Sequence, residues 1–303
     1  VSNILRTTNR LAEHAFYKLA APAKERAWSR KTAPFWHRGA RGLEFELYPG
    51  ELIDYYIFTH GLFEKRFLFL IEQMFSDGRT ALDIGANIGN HSLFFSRVFG
   101  AVHAFEPNPL TLERLNRNIA RNDADNVVVH GIGLSEAPTQ LHFLAHAGGN
   151  AGHSRFVDGP EDGSQELPVE RGDDVVAQSK IIDVDFIKVD VEGHELAALR
   201  GLSRTIERDQ PVVAFEFHSR DFPEGYFSAF QAALPGYAFF ECVLRDRNAN
   251  VVQKVSDYLR SGGLPTVTPM RLRHGRSYEN ILAVPSGFDT ARFGGLLKDN
   301  GES

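Results

Sequence analysis

The chain has 303 residues, 43% of them hydrophobic, enough to bury a sizeable core and to exclude disorder as its main state. Its net charge of -6 argues against a general nucleic-acid binder, which needs a basic excess or a basic face, so small molecules are the expected ligands. A lone cysteine, Cys242, excludes an intramolecular disulfide and fits a reducing, cytoplasmic setting; no run approaches the roughly 18 apolar residues of a membrane span, and the start lacks the apolar core of a secretory signal.

Residues 1–43 read as a basic helical extension, 44–290 as the main domain and 291–303 as a C-terminal tail. In the extension Arg6, Arg10, Lys18, Lys24, Arg26, Arg30, Lys31, Arg38 and Arg41 face only Glu13 and Glu25. Leu5, Ala12, Phe16 and Leu19 recur near helical spacing, as in a helix lying on its own domain, on a partner or peripherally on an anionic membrane.

From Thr80 onward short apolar runs alternate with helical patterns: "TALDI" (80–84), "AVHAFE" (101–106), "VVVHGI" (127–132), "VDFIKVD" (184–190) and "PVVAFEF" (211–217). That alternation predicts an α/β fold with a doubly wound, mostly parallel sheet. Between the second and third runs, Asn108 can cap a crossover helix, Pro109 suits its first position, and Leu112, Leu115 and Ile119 make its apolar face. The stretch from His146 to Pro168 reads as an exposed loop or a lid. Beyond residue 222 come a helix ("GYFSAFQAAL") and two strand-like runs, "YAFFECV" and "NILAVP", expected to make an antiparallel edge.

The first strand runs into Gly85, Ala86, Asn87, Ile88 and Gly89, ahead of a helix expected over His91 to Val98. Glycines there let a ligand approach the main chain, and a helix N-terminus presents unpaired N–H groups. Glu106, at the end of the next strand, can accept from both hydroxyls of an unphosphorylated ribose. The G-x-x-x-G spacing differs from the G-x-G-x-x-G that cradles a pyrophosphate, which disfavours nicotinamide cofactors. S-adenosylmethionine carries no phosphate, and Asp83, Asn87 and the helix start supply the polar mixture that its methionine end needs.

Alternation on the fourth strand puts Lys188, Asp190 and Glu192 on one face, and on the fifth Glu216 and His218 share a face; His194 and Glu195 extend the cluster. Lys188 reads as an ion-pair partner of Asp190, since a buried charge needs pairing. Asp190 faces the cofactor end, whereas Glu192 and Glu195 read equally as site residues or as helix N-terminal acids. His194 and His218 are the candidate bases or hydrogen-bonded structure, with His218 preferred beside Glu216. A second mechanism has a divalent cation, magnesium, on Asp190 and Glu216 acidifying the acceptor hydroxyl.

"LDIGANIGNHSLFFS", "VHAFEPNP", "LNRNIARN", "VDFIKVDVEGHELAALRGL", "PVVAFEFH" and "NILAVP" resemble, in that order, the FkbM-type S-adenosylmethionine-dependent methyltransferases over roughly residues 45–285, including the lead-in "PGELIDYYIFTHGLFEKRF". The resemblance implies a seven-stranded Rossmann-like sheet and methyl transfer to a hydroxyl on a small or glycosidic natural product. It also implies that Gly85, Asn87 and Gly89 hold the methionine end, Glu106 the ribose, and the turn at Gly133, Leu134 and Ser135 the adenine. Two other classes stay open: a non-catalytic adenosyl-cofactor-binding regulatory module, and a nicotinamide-dependent oxidoreductase. Trp36, Tyr55, Tyr56, Phe222 and Tyr226 could stack on a sugar face or belong to the core.

Overall fold

The computed structural model describes residues 20–75, 77–144, 155–157, 164–243, 263–273 and 275–297. The apolar face read across Leu5, Ala12, Phe16 and Leu19 lies outside them, as do most of the His146–Pro168 stretch and the far end of the tail. The chain falls into two compact units, residues 1–74, 242–268 and 290–303 in the smaller, and 75–241 and 269–289 in the larger.

In the smaller unit β1 (Phe35–Arg38) pairs antiparallel with β2 (Glu44–Leu47), followed by α1 (Leu52–His60) and α2 (Lys65–Met74). Residues Trp28, Phe35 and Phe58 are grouped here, with ring centroids 5.4 to 6.2 Å apart. Tyr55 joins this aromatic group through Trp28, while Trp36 and Tyr56 stand 42% and 38% exposed. Arg66 donates to the carbonyls of Gly263 and Leu264, fastening the late segment to α2.

The larger unit begins with β3 (Gly78–Ile84), α3 (Asn90–Phe95), β4 (Phe99–Phe105), α4 (Pro109–Arg121) and β5 (Val127–His130). A four-stranded excursion follows: β6 (Gly133–Ser135), β7 (Thr139–Leu144), β8 (Arg155–Val157) and β9 (Gln165–Arg171). The chain continues through α5 (Gly172–Gln178), β10 (Val184–Val189), α6 (Glu195–Gly201), α7 (Ser203–Asp209), β11 (Val212–His218), α8 (Phe227–Ala233) and β12 (Tyr237–Val243). After β13 (Thr266–Pro269), β14 (Ser277–Pro285) completes the strands. Within the described part of the His146–Pro168 stretch, expected as a loop or lid, stand β8 and the start of β9, and both pair with β7. Glycines and acids hid these short strands from any periodicity.

Seven strands of this unit lie in the order β12, β14, β11, β10, β3, β4, β5. From β11 to β5 neighbours run parallel, and β14 inserts antiparallel between β11 and β12, the antiparallel edge expected from the late strands. The sheet is therefore doubly wound α/β, and the order reverses between β3 and β10. Both faces are covered, so the strands read as continuous apolar runs. On β10 Phe186 faces one layer, with centroids 5.4 Å from Phe95 and 5.9 Å from Phe99. Its neighbour Ile187 faces the other, in a core with Phe215, Phe217 and Phe230. Phe215 and Phe230 stack at 4.8 Å, an overlap whose truncation to alanine costs about 3–5 kcal/mol.

Candidate active site

Open α/β sheets bind ligands beyond the carboxyl ends of their strands where the order reverses, here between β3 and β10. The two strands meet there main chain to main chain. The Asp190 N–H donates to the Ile84 carbonyl at 2.9 Å, and the N–H groups of Gly85 and Ala86 both donate to the Phe105 carbonyl at 3.0 Å. Gly85 has φ of 84°, and a Cβ on it would lie 1.8 Å from the Asp190 carbonyl oxygen. Only glycine allows that approach. Asn87 holds a left-handed φ of 50°, which asparagine tolerates better than most residues. Its side chain accepts from the Ile88 N–H at 2.7 Å, and buried Asn118 of α4 donates to the Ile88 carbonyl at 2.8 Å. Gly89, at φ of 91°, turns the chain into α3, whose Asn90–Phe95 span is shorter than the His91–Val98 helix expected.

Glu106 stands at the end of β4, only 8% exposed, with both oxygens engaged: Oε2 accepts from the Asn87 N–H and Oε1 from the Asn108 N–H, each at 2.9 Å. Burial pushes its carboxyl up to about 7 against the pull of those two N–H groups. An ionised carboxylate has roughly four acceptor directions, so capacity for two more donors remains, the number that the vicinal hydroxyls of a ribose supply. Asn108 also caps α4, accepting from the Leu110 N–H at 3.1 Å ahead of Pro109.

Asp83 is 1% exposed at the end of β3, in register with Lys188 of β10. Burial pushes its carboxyl up, opposed by the charge of His91, a hydrogen bond from the Ser92 hydroxyl and the charge of Lys188. Lys188, also 1% exposed, reaches Asp190 Oδ2 at 3.2 Å, the ion pair read from the sequence. Burial pushes Asp190 up as well, but Lys188, His91 and His218 outweigh it and hold the carboxyl below its usual range. A carboxylate is thereby kept ionised beside the turn.

At the end of β11 His218 Nε2 lies 2.8 Å from Glu216 Oε1. That hydrogen bond raises the imidazole pKa above its ordinary 6.5, against the opposing effect of burial. It also fixes the proton on Nε2 and leaves Nδ1, buried and without a hydrogen-bond partner among the described residues, as the unprotonated nitrogen. His194 points elsewhere: its Nε2 lies 2.9 Å from the Ser135 hydroxyl, and burial lowers its pKa. Glu195 accepts from the N–H groups of Val191 and Gly193, closing the turn that enters α6, and Glu192 takes a left-handed φ of 51° in that turn. Leu134 is 1% exposed on β6, between Gly133 and Ser135. Among the described residues no group of three or more His, Cys, Asp or Glu is placed to hold a metal ion, so a cation on Asp190 and Glu216 has no third ligand of these types.

Sequence reasoning missed His91 and Ser92, both buried on α3 and both acting on Asp83. The signal was there, since the first turn of a helix behind a glycine turn folds back onto the end of the preceding strand. Of the aromatics named from the sequence as stacking or core residues, Phe222 lies 5.5 Å from Phe217 and 4.4 Å from Tyr226 in near-parallel planes just after His218.

Residues 83–248 match the sequence profile of the Methyltransferase FkbM domain, from Asp83 of the site through β12. The hexuronic acid methyltransferase AglP of Haloferax volcanii is 33% identical over 138 residues, 45% of this chain and 55% of that protein. Methyltransferase 1 of Beauveria bassiana is 30% identical over 149 residues, 42% of this chain and 60% of that one. The chain thus spans between 55% and 60% of the length of these two curated relatives. A crystal structure of Methyltransferase FkbM from Methylobacillus flagellatus is 23% identical, with a TM-score of 0.39 over 69% of this chain and 44% of that one. With the profile covering more than half of its length, the chain belongs to the FkbM methyltransferase family.

Proposed function

We propose that this chain transfers a methyl group from S-adenosylmethionine to a hydroxyl oxygen of a small or glycosidic acceptor. The observation that carries the reading is Glu106, a buried carboxylate held by two main-chain N–H groups beside the Gly85 turn, at the point where the strand order reverses. S-adenosylmethionine, when bound, supplies a methyl on a sulfonium, an electrophile that needs no further activation. The chain's residues then have to bind, align and take up a proton. Glu106 accepts from the ribose hydroxyls, while Asp83, Gly85, Asn87 and Gly89 enclose the methionine end and Leu134 the adenine. Asp190 borders the reacting centre, and its negative charge favours the cationic donor.

His218 is the base in this reading. Glu216 orients the ring and stabilises the imidazolium that forms once His218 has taken the hydroxyl proton. His218 and the aromatic stack that follows it support an acceptor on the β11 side. A relative named for hexuronic acid supports a saccharide as that acceptor. The polar groups after β10 and β11 speak for an enzyme over a regulatory module, which would need only the cofactor cradle.

The test follows S-adenosylhomocysteine release over a panel of glycosides, for the wild type and His218→Asn. The expected result is acceptor-dependent release by the wild type, with turnover lost and S-adenosylhomocysteine affinity kept in the variant. Equal turnover by the variant would remove His218 as base, and NAD-dependent oxidation of the same glycosides would replace the reading altogether.

A further inference from the structure

A segment rich in arginine is tied to the residue that follows the candidate base. Ser219, 5% exposed, donates its N–H to the Arg276 carbonyl at 3.0 Å. Its hydroxyl lies 2.9 Å from that carbonyl and 3.1 Å from the Arg273 carbonyl, and accepts from the Arg276 N–H at 3.0 Å. Tyr278, 1% exposed on β14, secures the other end, its hydroxyl accepting from the Arg273 N–H at 2.8 Å and donating to the Arg271 carbonyl at 3.1 Å. Since His218 pairs with Ser277 across the β11 and β14 ladder, these bonds hold the main chain of Arg271, Arg273 and Arg276 at the carboxyl end of β11, next to Glu216 and His218.

The arginines of this segment are not equivalent. Arg276 is neutralised by Glu241 and lies 5.1 Å from the centre of the Tyr278 ring, so it serves the fold. Arg271 and Arg273 are exposed, and neither makes an ion pair among the described residues. Arg220, on the facing turn, stands 65% exposed and 3.9 Å from Asp221, a loose contact. Arg271 and Arg273 are thus two exposed guanidinium groups with no ion pair among the described residues, carried on an anchored main chain. A guanidinium is a planar fork of donors that matches a carboxylate or a phosphate, and a main chain fixed beforehand lowers the ordering cost of binding one.

We propose that Arg271 and Arg273 bind an anionic group, a carboxylate or a phosphate, on the acceptor whose hydroxyl is presented to His218. This rests on the methyl-transfer reading above and adds the acceptor's charge to it. The aromatic pair Phe222 and Tyr226, four and eight residues beyond His218, offers a flat apolar surface of the kind that a sugar ring stacks on.

The test titrates p-nitrophenyl glucuronide, the corresponding glucoside 6-phosphate and the neutral glucoside into wild-type protein and the double variant Arg271→Gln, Arg273→Gln. Calorimetry is run with and without S-adenosylhomocysteine at near-physiological salt. The wild type is expected to bind one of the two anionic glycosides roughly ten- to a hundredfold more tightly than the neutral one, the effect of one charge-assisted pair. Which anion wins separates carboxylate from phosphate. The double variant should lose that preference while keeping its melting temperature and its affinity for S-adenosylhomocysteine. Equal binding of charged and neutral glycosides by the wild type, or a preference that survives the double substitution, would overturn the proposal. Failure to bind S-adenosylhomocysteine would instead refute the methyl-transfer reading, and the titrations without it would still decide whether the two arginines select an anion.

Discussion

Replacing Glu106 with glutamine should separate cofactor binding from folding. The ionised carboxylate sits 8% exposed, and burial lifts its pKa from 4.5 to about 7. Folding therefore carries a penalty of about 3 kcal/mol above pH 7, which fades as the pH falls toward 4.5 and the group becomes protonated in both states. Glutamine removes that penalty, but its NH2 must face one of the two N–H groups now satisfied by the carboxylate, at a cost of about 1–3 kcal/mol. The two nearly cancel, so the melting temperature should stay within about 4 °C. Binding has no such compensation. One acceptor oxygen and the charge are lost toward the ribose hydroxyls, about 2–4 kcal/mol in total, or roughly 30- to 1000-fold in affinity. Calorimetric titration with S-adenosylhomocysteine at pH 7.5, beside a thermal melt, reads both. Affinity retained within about threefold, or a melting point lowered by more than about 8 °C, would refute the reasoning and leave Glu106 as a brace of the turn.

Wild-type affinity for S-adenosylhomocysteine should weaken below pH 7, by up to about tenfold per pH unit, because the free protein then carries a proton on Glu106 that ribose binding must expel; titrations at pH 5.5 to 8 should show this slope and Glu106→Gln should flatten it. Methyl transfer should rise with pH through a midpoint above 6.5, since His218 works deprotonated and Glu216 raises its pKa; in Glu216→Gln the midpoint of the rate profile should move down, and an unmoved midpoint would disconnect the pair from catalysis. Gly85→Ala should cost about 2–4 kcal/mol of stability in chemical denaturation, because the new Cβ meets the Asp190 carbonyl oxygen in a left-handed backbone.

What could be read in advance depended on how locally each feature is encoded. β3, β4, β10 and β11 are buried on both faces and so announce themselves as unbroken apolar runs, and the Asn108–Pro109 start of α4 is a signal contained within two residues. The β7 and β9 pair escaped notice because both strands are short, mix polar with apolar residues, and in β9 bury only every second side chain. Side-chain chemistry was legible where one strand carries both partners, as in Lys188 with Asp190 and Glu216 with His218. It was not legible where partners come from different elements. That His194 is engaged by Ser135, and that the arginines after β13 are moored beside His218, follows from strand order alone.

The most direct test of the account is calorimetry of the wild-type protein with S-adenosylmethionine, S-adenosylhomocysteine and NAD. Binding of both adenosyl ligands with no binding of NAD is the result that the Gly85 turn and Glu106 predict. Binding of NAD alone, or of none of the three, would contradict the claim that this turn holds an adenosyl methyl donor.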